Sequence, residues 1–369
     1  MRKVLTLISA IALTACLEPQ PEPDVKEIPI SEFTIETLAK GFSAPWSVAE
    51  TSQGYFVTER GGKLFRIIGN AKTEITGLPD DIYVAGQGGL LEVAPAPDFD
   101  QSKELYISYA YGGPKENGTA LLRASLKGDT LENASIIFRA SPPKAAASHF
   151  GGRIVFLPDN TLILTLGDGF AYREEAQNLD SHLGKIVRLN RDGGTPSNNP
   201  KLGGKPQIYS YGHRNVQGLA YDRETGNLWE HEHGPRGGDE LNLIKPGQNY
   251  GWPIATTGLD YNGAKISPFK TYEGMTGPVH DWVPSIAPSG LAIYRGDMFP
   301  KWNGDALIGG LVSKDLRRID LENGASLGET SLLSDLGERV RDVRIDQSGA
   351  ILVLTDDPEN GKLLRVTPK

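Results

Sequence analysis

The chain has 369 residues, 44 of them Gly and 25 Pro, and only 38% are hydrophobic. That is enough to bury a large core, and the wealth of turn formers favours many short strands over long helices. The formal net charge of −8 excludes a global positive field for nucleic acid or an anionic membrane, so an anionic ligand has to be met by local cations.

The first segment, 1–15, reads as an export signal: a basic MRK, an apolar VLTLISAIALTA too short to span a bilayer, and small residues before Cys16. Leu13-Thr14-Ala15-Cys16 resembles the bacterial lipobox, and Cys16 is the only cysteine. The expectation is a lipoprotein cleaved before Cys16 and anchored through it, with no disulfide or thiolate metal site in the mature domain. Residues 16–32, rich in Pro and Glu, read as an extended tether. Leu17 is not the Asp associated with inner-membrane retention, so the location expected is the periplasmic side of the cell envelope, with the outer membrane favoured.

From Phe33 to Lys369 composition does not shift, which argues for one domain. One local pattern recurs through it: a turn with Gly, Asn or Asp, an alternating apolar strand, a polar turn, and a second strand. Its instances span 52–67, 102–126, 158–190, 224–244, 303–321 and 347–366. Each is a β-hairpin by alternation and turn chemistry. Six such units, roughly 45 to 80 residues apart, predict an all-β, six-bladed β-propeller in which each blade buries its faces against its neighbours. A two-sheet sandwich also has many short strands, but six repeats of one hairpin make it the weaker reading. The spacing leaves long inter-strand loops, and loops on one face of a rigid scaffold are where a site is built.

Those loops hold the polar clusters HFGGR (149–153), LGDG (166–169), YGHRNVQGLA (211–220), EHGPRGGDELN (232–242) and NYGWP (249–253). Taken singly, each has a bland explanation as turn or loop brace. In this order they resemble the signature segments of the soluble pyrroloquinoline-quinone (PQQ)-dependent sugar dehydrogenases, the aldose sugar dehydrogenase branch of the glucose/sorbosone dehydrogenase family. The resemblance runs from about Leu38 to Arg365.

What the resemblance implies is specific. The activity would be oxidation of aldoses at C1 to the lactone with PQQ and calcium, electrons then passing to a quinone or cytochrome. His149 would be the general base and Asp168 its acidic partner, while Arg214 would polarise the quinone oxygen. Gln87, Arg214, Asn215, Lys314, Arg339 and Arg341 would hold the cofactor. Main-chain oxygens at Gly234-Pro235 would hold its calcium, and Glu240, Tyr250 and Asp260 are candidates for a further calcium site. The chemistry suits these residue types: guanidinium forks bind carboxylates, imidazole titrates near the working range, and calcium takes carbonyl oxygens. Arg339 and Arg341, two apart on an extended segment, would point to the same side.

Other readings stand beside this one. His213, His231 and His233 suggest zinc, but the HEH spacing belongs to a strand and no cysteine assists, so bracing of loops is favoured for His213 and His231. His182 and His280 carry no functional signal. Better-known relatives have an acidic residue before the base where this chain has Ser148, which puts glucose specificity in question. Trp282, Tyr261 and Tyr272 suit either a sugar ring or a blade core. A calcium-dependent propeller lactonase would need side-chain oxygen ligands at the channel and no cationic set, and a non-catalytic envelope propeller is the remaining rival. His149 and Asp168 are 19 positions apart across two strand segments, so the loop at 148–153 has to fold back for them to meet.

Overall fold

The computed structural model describes residues 25–369. The signal segment 1–15, Cys16 and the tether as far as Asp24 lie outside the described residues. Among those described, no helix is long and apolar enough to cross a membrane.

The chain forms a six-bladed β-propeller. The six hairpins read from the sequence are the middle pairs of the six blades, each completed by an inner and an outer strand. The inner strands are Pro45–Thr51, Leu90–Pro95, Ile154–Phe156, Val216–Tyr221, Pro288–Ile293 and Val340–Ile345. Closure comes from the N-terminal side: Phe33–Phe42 pairs antiparallel with Gly361–Pro368, so an early strand completes the last blade. The described end of the tether is not free chain. Lys26–Ile28 pairs in parallel with Ala325–Leu332 and adds a fifth strand to blade 5.

The core is six layers, one between each pair of neighbouring blades, and a small seventh cluster of Trp46, Leu91, Ala110 and Phe150. Phe56 and Leu64 of blade 1 meet Val93, Ile107 and Leu122 of blade 2, and Phe42 and Leu354 of blade 6 meet Val48 and Val57 of blade 1. Alternation places one apolar face of each strand in each layer, which is why the hairpins read so clearly.

A bulge recurs where the inner strand meets its neighbour in five blades, between Pro45 and Ser47, Leu90 and Val93, Val216 and Gly218, Ser289 and Leu291, and Val340 and Asp342. A bulge re-aims a side chain. Here it turns Trp46, Leu91, Gln217 and Arg341 into the axial cavity.

Beneath that cavity sits Arg153, the arginine of HFGGR, 1% exposed. Its guanidinium donates to Gln217 O (2.7 Å), Glu92 Oε2 (3.1 Å), Asp342 Oδ1 (2.9 Å) and Arg341 O (3.3 Å), and lies 4.0 Å from the Trp46 ring centroid. Ser289 Oγ donates to the same Arg341 carbonyl at 2.7 Å. Every blade is therefore tied into one axial knot. Removing one member of a buried ionic group strands the others, so Arg153→Leu should lower unfolding free energy by about 3–5 kcal/mol. Denaturant unfolding of the variant against wild type measures this.

Candidate active site

The two segments that carry His149 and Asp168 are the upper ends of one hairpin. Ile154–Phe156 pairs with Leu162–Thr165, and the pairing continues upward as Thr165 N donates to Arg153 O and Gly152 N to Thr165 O. Gly167 permits the last approach, since a Cβ there would lie 2.3 Å from His149 O. His149 and Asp168 consequently face each other, with Nδ1 to Oδ1 at 2.6 Å.

The dyad is fixed from all sides. Asp168 Oδ1 also accepts the Phe170 amide (2.7 Å), and Oδ2 accepts Trp252 Nε1 (2.8 Å). His149 N donates to Gln87 Oε1 at 2.8 Å. Burial opposes ionisation of Asp168, but the His149 hydrogen bond and charge, Arg214 and the Phe170 amide outweigh it, and the carboxyl stays below its usual range. A carboxylate only accepts, so Nδ1 carries the proton and Nε2 keeps its lone pair. Burial also lowers the His149 pKa, Asp168 opposes that, and Arg214 and Lys144 push it further down. The resting pair is a neutral imidazole on a carboxylate, which is what a general base requires.

Two cavities adjoin the dyad. The outer one, about 350 Å³, is lined by Phe170, Arg214, Pro235, Trp252, Asp260 and Tyr261 among others. The Phe170 ring stands edge-on to His149 at 5.2 Å and stacks on Tyr261. Tyr261 Oη accepts from Arg214 Nη2 at 3.3 Å, and Arg214 Nη1 donates to His233 O (2.8 Å) and Gly234 O (2.7 Å). The axial cavity, about 290 Å³, is lined by Arg60, Gln87, Asn215, Arg339, Arg341 and Asp356 along with the bulge residues.

The axial cavity has more guanidinium than carboxylate. Arg339 Nε and Arg341 Nη2 share one oxygen, Asp356 Oδ2, at 3.1 and 2.8 Å. The Nε atoms of Arg60 and Arg341 are buried without an acceptor. Burial lowers the Arg341 pKa, with Asp356 opposing. A set of donors short of acceptors fits a polyanionic ligand.

Measured against known proteins, the chain matches the family model described as glucose/sorbosone dehydrogenase over residues 42–365. It is 37% identical to the aldose sugar dehydrogenase YliI of Escherichia coli over all of this chain and 99% of that one. The chain belongs to the glucose/sorbosone dehydrogenase family. A crystal structure of a glucose dehydrogenase superposes with a TM-score of 0.87 at 42% identity, covering 91% of this chain and 100% of that one. A PQQ-bound aldose sugar dehydrogenase from Streptomyces coelicolor superposes at 0.75 with 29% identity, covering 92% and 100%.

Within this family framework, the structure gathers Gln87, Asn215, Arg339 and Arg341 in the axial cavity, and Arg214 and Pro235 in the outer one. Lys314, exposed on a turn at φ 58, lines neither. Glu240, Tyr250 and Asp260 are not brought together as three side chains. The Tyr250 hydroxyl is taken by Leu243 O and Lys245 N, and Asp260 lies in the outer cavity within 3.5 Å of Arg173. Glu240 instead belongs to a buried acidic group with Glu230, Glu232 and His213. His213 Nδ1 is 3.6 Å from Glu230 Oε1 and 3.8 Å from Glu232 Oε2. None of these three carboxylates is ion-paired with Lys or Arg among the described residues, burial raises the pKa of each, and His213 Nδ1, Glu230 Oε2 and Asn242 Oδ1 have no partner.

The remaining histidines brace. His231 Nε2 bonds Gly290 O and His233 Nε2 bonds Pro288 O, both across to blade 5. Of the three aromatics only Tyr261 lines either of the two cavities beside the dyad; Trp282 is buried with its Nε1 on Glu329, and Tyr272 packs against Phe269 outside. Arg60, Asp356, Trp252, Glu230 and Phe170 were not singled out from the sequence. Arg60 and Asp356 sit in turn-like ERGG and TDDPENG, where solvated charge is the ordinary reading, and Trp252 is hidden in the NYGWP segment.

A carboxylate beside His149 favours imidazolium, so Asp168→Asn should lower the titration midpoint of the His149 ring further below its ordinary value. NMR of the labelled ring across pH measures it; a midpoint that rises contradicts the assigned electrostatics.

Proposed function

We propose that the chain is a PQQ- and calcium-dependent aldose sugar dehydrogenase, oxidising the sugar at C1 to the lactone. The observation that carries this reading is the pairing of a neutral, oriented base with an adjoining cavity whose guanidinium groups exceed their carboxylate partners.

PQQ, when bound, supplies an ortho-quinone that takes up the hydride from C1. Arg339, Arg341 and Arg60 would hold its carboxylates, with Gln87 and Asn215 offering amides. His149 Nε2 takes the proton of the anomeric hydroxyl as hydride leaves C1, and Asp168 stabilises the imidazolium that results. Trp252 and the Phe170 amide keep Asp168 from rotating away. Arg214, between the dyad and Gly234, is placed to stabilise negative charge developing opposite the base. Phe170 and Tyr261 present apolar faces on which a pyranose ring would stack. With Ser148 where better-known relatives have an acidic residue before the base, glucose is not singled out among the aldoses.

Calcium suits two places. Gly234 O keeps a lone pair beyond its bond to Arg214, and carbonyl oxygens at the Gly-Pro step are hard donors next to the cofactor cavity. The acidic group around Glu230, Glu232 and Glu240, with its unpartnered oxygens, also has the chemistry of a hard-cation site. We also propose export and anchoring through a lipid on Cys16, with the outer membrane favoured and a quinone or cytochrome taking the electrons. The signal-like 1–15 and the lone cysteine support that part of the reading.

The decisive experiment adds PQQ and calcium to the protein, then a panel of aldoses and an artificial acceptor, and follows reduction by absorbance. Absence of PQQ binding, or bound PQQ that no sugar reduces, removes the assignment and leaves a lactonase or a non-catalytic propeller. His149→Ala should keep PQQ binding and lose about 10²–10⁴-fold in turnover. Calcium at a hundredfold excess over its Kd should stabilise the fold by about 2.7 kcal/mol, read as a rise in Tm that a chelator reverses. Glu230→Gln should shrink that rise.

A further inference from the structure

Lys144 is a buried ammonium that the mechanism above does not use. It is 2% exposed and lines neither cavity. Its Nζ donates to Asn117 Oδ1 at 3.0 Å and to Ala146 O at 2.5 Å, and stands 3.6 Å from the centroid of the Phe150 ring. No carboxylate is among its hydrogen-bond partners. Its stem runs directly under the LGDG turn, since a Cβ on Gly169 would lie 2.5 Å from Lys144 Cδ. The charge therefore sits behind the residue that follows Asp168.

A merely structural role explains this poorly. The loop that carries His149 is already clamped to blade 2 by main-chain bonds in both directions between Lys144 and Asn117, each 2.8 Å, and Tyr172 Oη accepts the amide of Ala145. An apolar side chain would fill the same space without the cost of burying an ammonium. The charged and titratable groups that bear on this corner are Asp168, His149, Arg214, Lys144 and the neighbouring Tyr172. One anion thus faces Arg214 and, when protonated, Lys144, and protonation of His149 would add a further positive charge. Burial lowers the Lys144 pKa to about 7, Asp168 opposing, so the charge is present on the acid side of neutrality, where His149 would otherwise take up a proton.

We propose that Lys144 is a positioning residue whose ammonium, lodged behind the Asp168 turn, holds His149 in its neutral, proton-accepting form at mildly acidic pH. The inference rests on His149 being the base, and its test is chosen to stand apart from activity.

The ring of His149 is titrated by NMR in the full-length protein without added cofactor, using labelled histidine and the His149→Ala spectrum for assignment. Wild type is compared with Lys144→Met, Lys144→Gln and Lys144→Arg. Removal of a nearby positive charge should raise the midpoint in the Met and Gln variants, while Arg leaves it near the wild-type value. In protein supplied with PQQ and calcium, the acid limb of kcat/KM should move up by the same amount. An unmoved midpoint in a folded uncharged variant overturns the proposal, as does loss of fold in both uncharged variants, which would make the lysine structural. A midpoint that moves as expected in a protein that no sugar reduces would uphold the role of Lys144 and remove the sugar-oxidation reading instead.

Discussion

The buried guanidinium of Arg153 is the interaction on which the rest depends. A propeller's inner strands splay around an axis with little apolar surface to share, so something else must fix their register. Arg153 does this with a planar fork that two carboxylates and two carbonyls match, Glu92, Asp342, Gln217 O and Arg341 O. Arg344 tightens the same knot through Glu92 and Val48 O. The knot also prepares the site. The main chain of Arg341 is gripped from below by Arg153 and Ser289, and the bulge it occupies turns its side chain up into the cavity. Anchor and cavity-lining donor are one residue, so the guanidinium is pre-positioned by the fold.

Above the knot, charge is unbalanced in two opposite senses. The axial cavity holds Arg60, Arg339 and Arg341 against Asp356, while the group behind Arg214 holds Glu230, Glu232 and Glu240 with no Lys or Arg paired to them among the described residues. Arg214 borders the acidic group and lines the outer cavity: its amide donates to Glu232 Oε2 at 2.6 Å, and its side chain donates to Gly234 O. Buried charge without a partner is costly, and burial accordingly raises the pKa of the three carboxylates and lowers that of Arg341. An anion in the axial cavity and a divalent cation in the acidic group would relieve both imbalances.

How much of this was legible depended on range. The six hairpins were readable because a blade's middle strands are bound by turn chemistry a few residues away, and their alternation is local. The closing strand 33–42 was counted in the domain but its pairing with 361–368 joins opposite ends of the chain, and no local pattern encodes it. The five bulges fall at single residues such as Arg341 and Gln217, within segments that simply read as extended. Arg339 and Arg341 were expected on one side, and they do share Asp356. The expectation reached that result by strict alternation, whereas Arg341 is turned by its bulge. Arg153 lay in a quoted motif and received no role, since sequence cannot distinguish an axial arginine from a surface one. Glu240 was placed with Tyr250 and Asp260; the sheet register instead sets it opposite Glu232 and beside Glu230, a relation only the folded blade creates.

The site also carries backbone strain, and its location is informative. His149 and Phe170 adopt left-handed φ values of 53° and 66°, a region that non-glycine residues occupy at a cost of order 1–3 kcal/mol. Each is held there by its own amide: His149 N on Gln87 Oε1, Phe170 N on Asp168 Oδ1. Relaxing either residue would break a bond to a group that the site itself uses. Relaxed backbone at His149 would withdraw the imidazole from Asp168, and at Phe170 would remove both a hydrogen bond to that carboxylate and the ring that shields the dyad. The strain is therefore not a defect that packing tolerates. It is what holds the His149 imidazole on Asp168 and the Phe170 ring at the wall of the outer cavity, and the rigidity of the axial knot below is what allows the loops above to hold it.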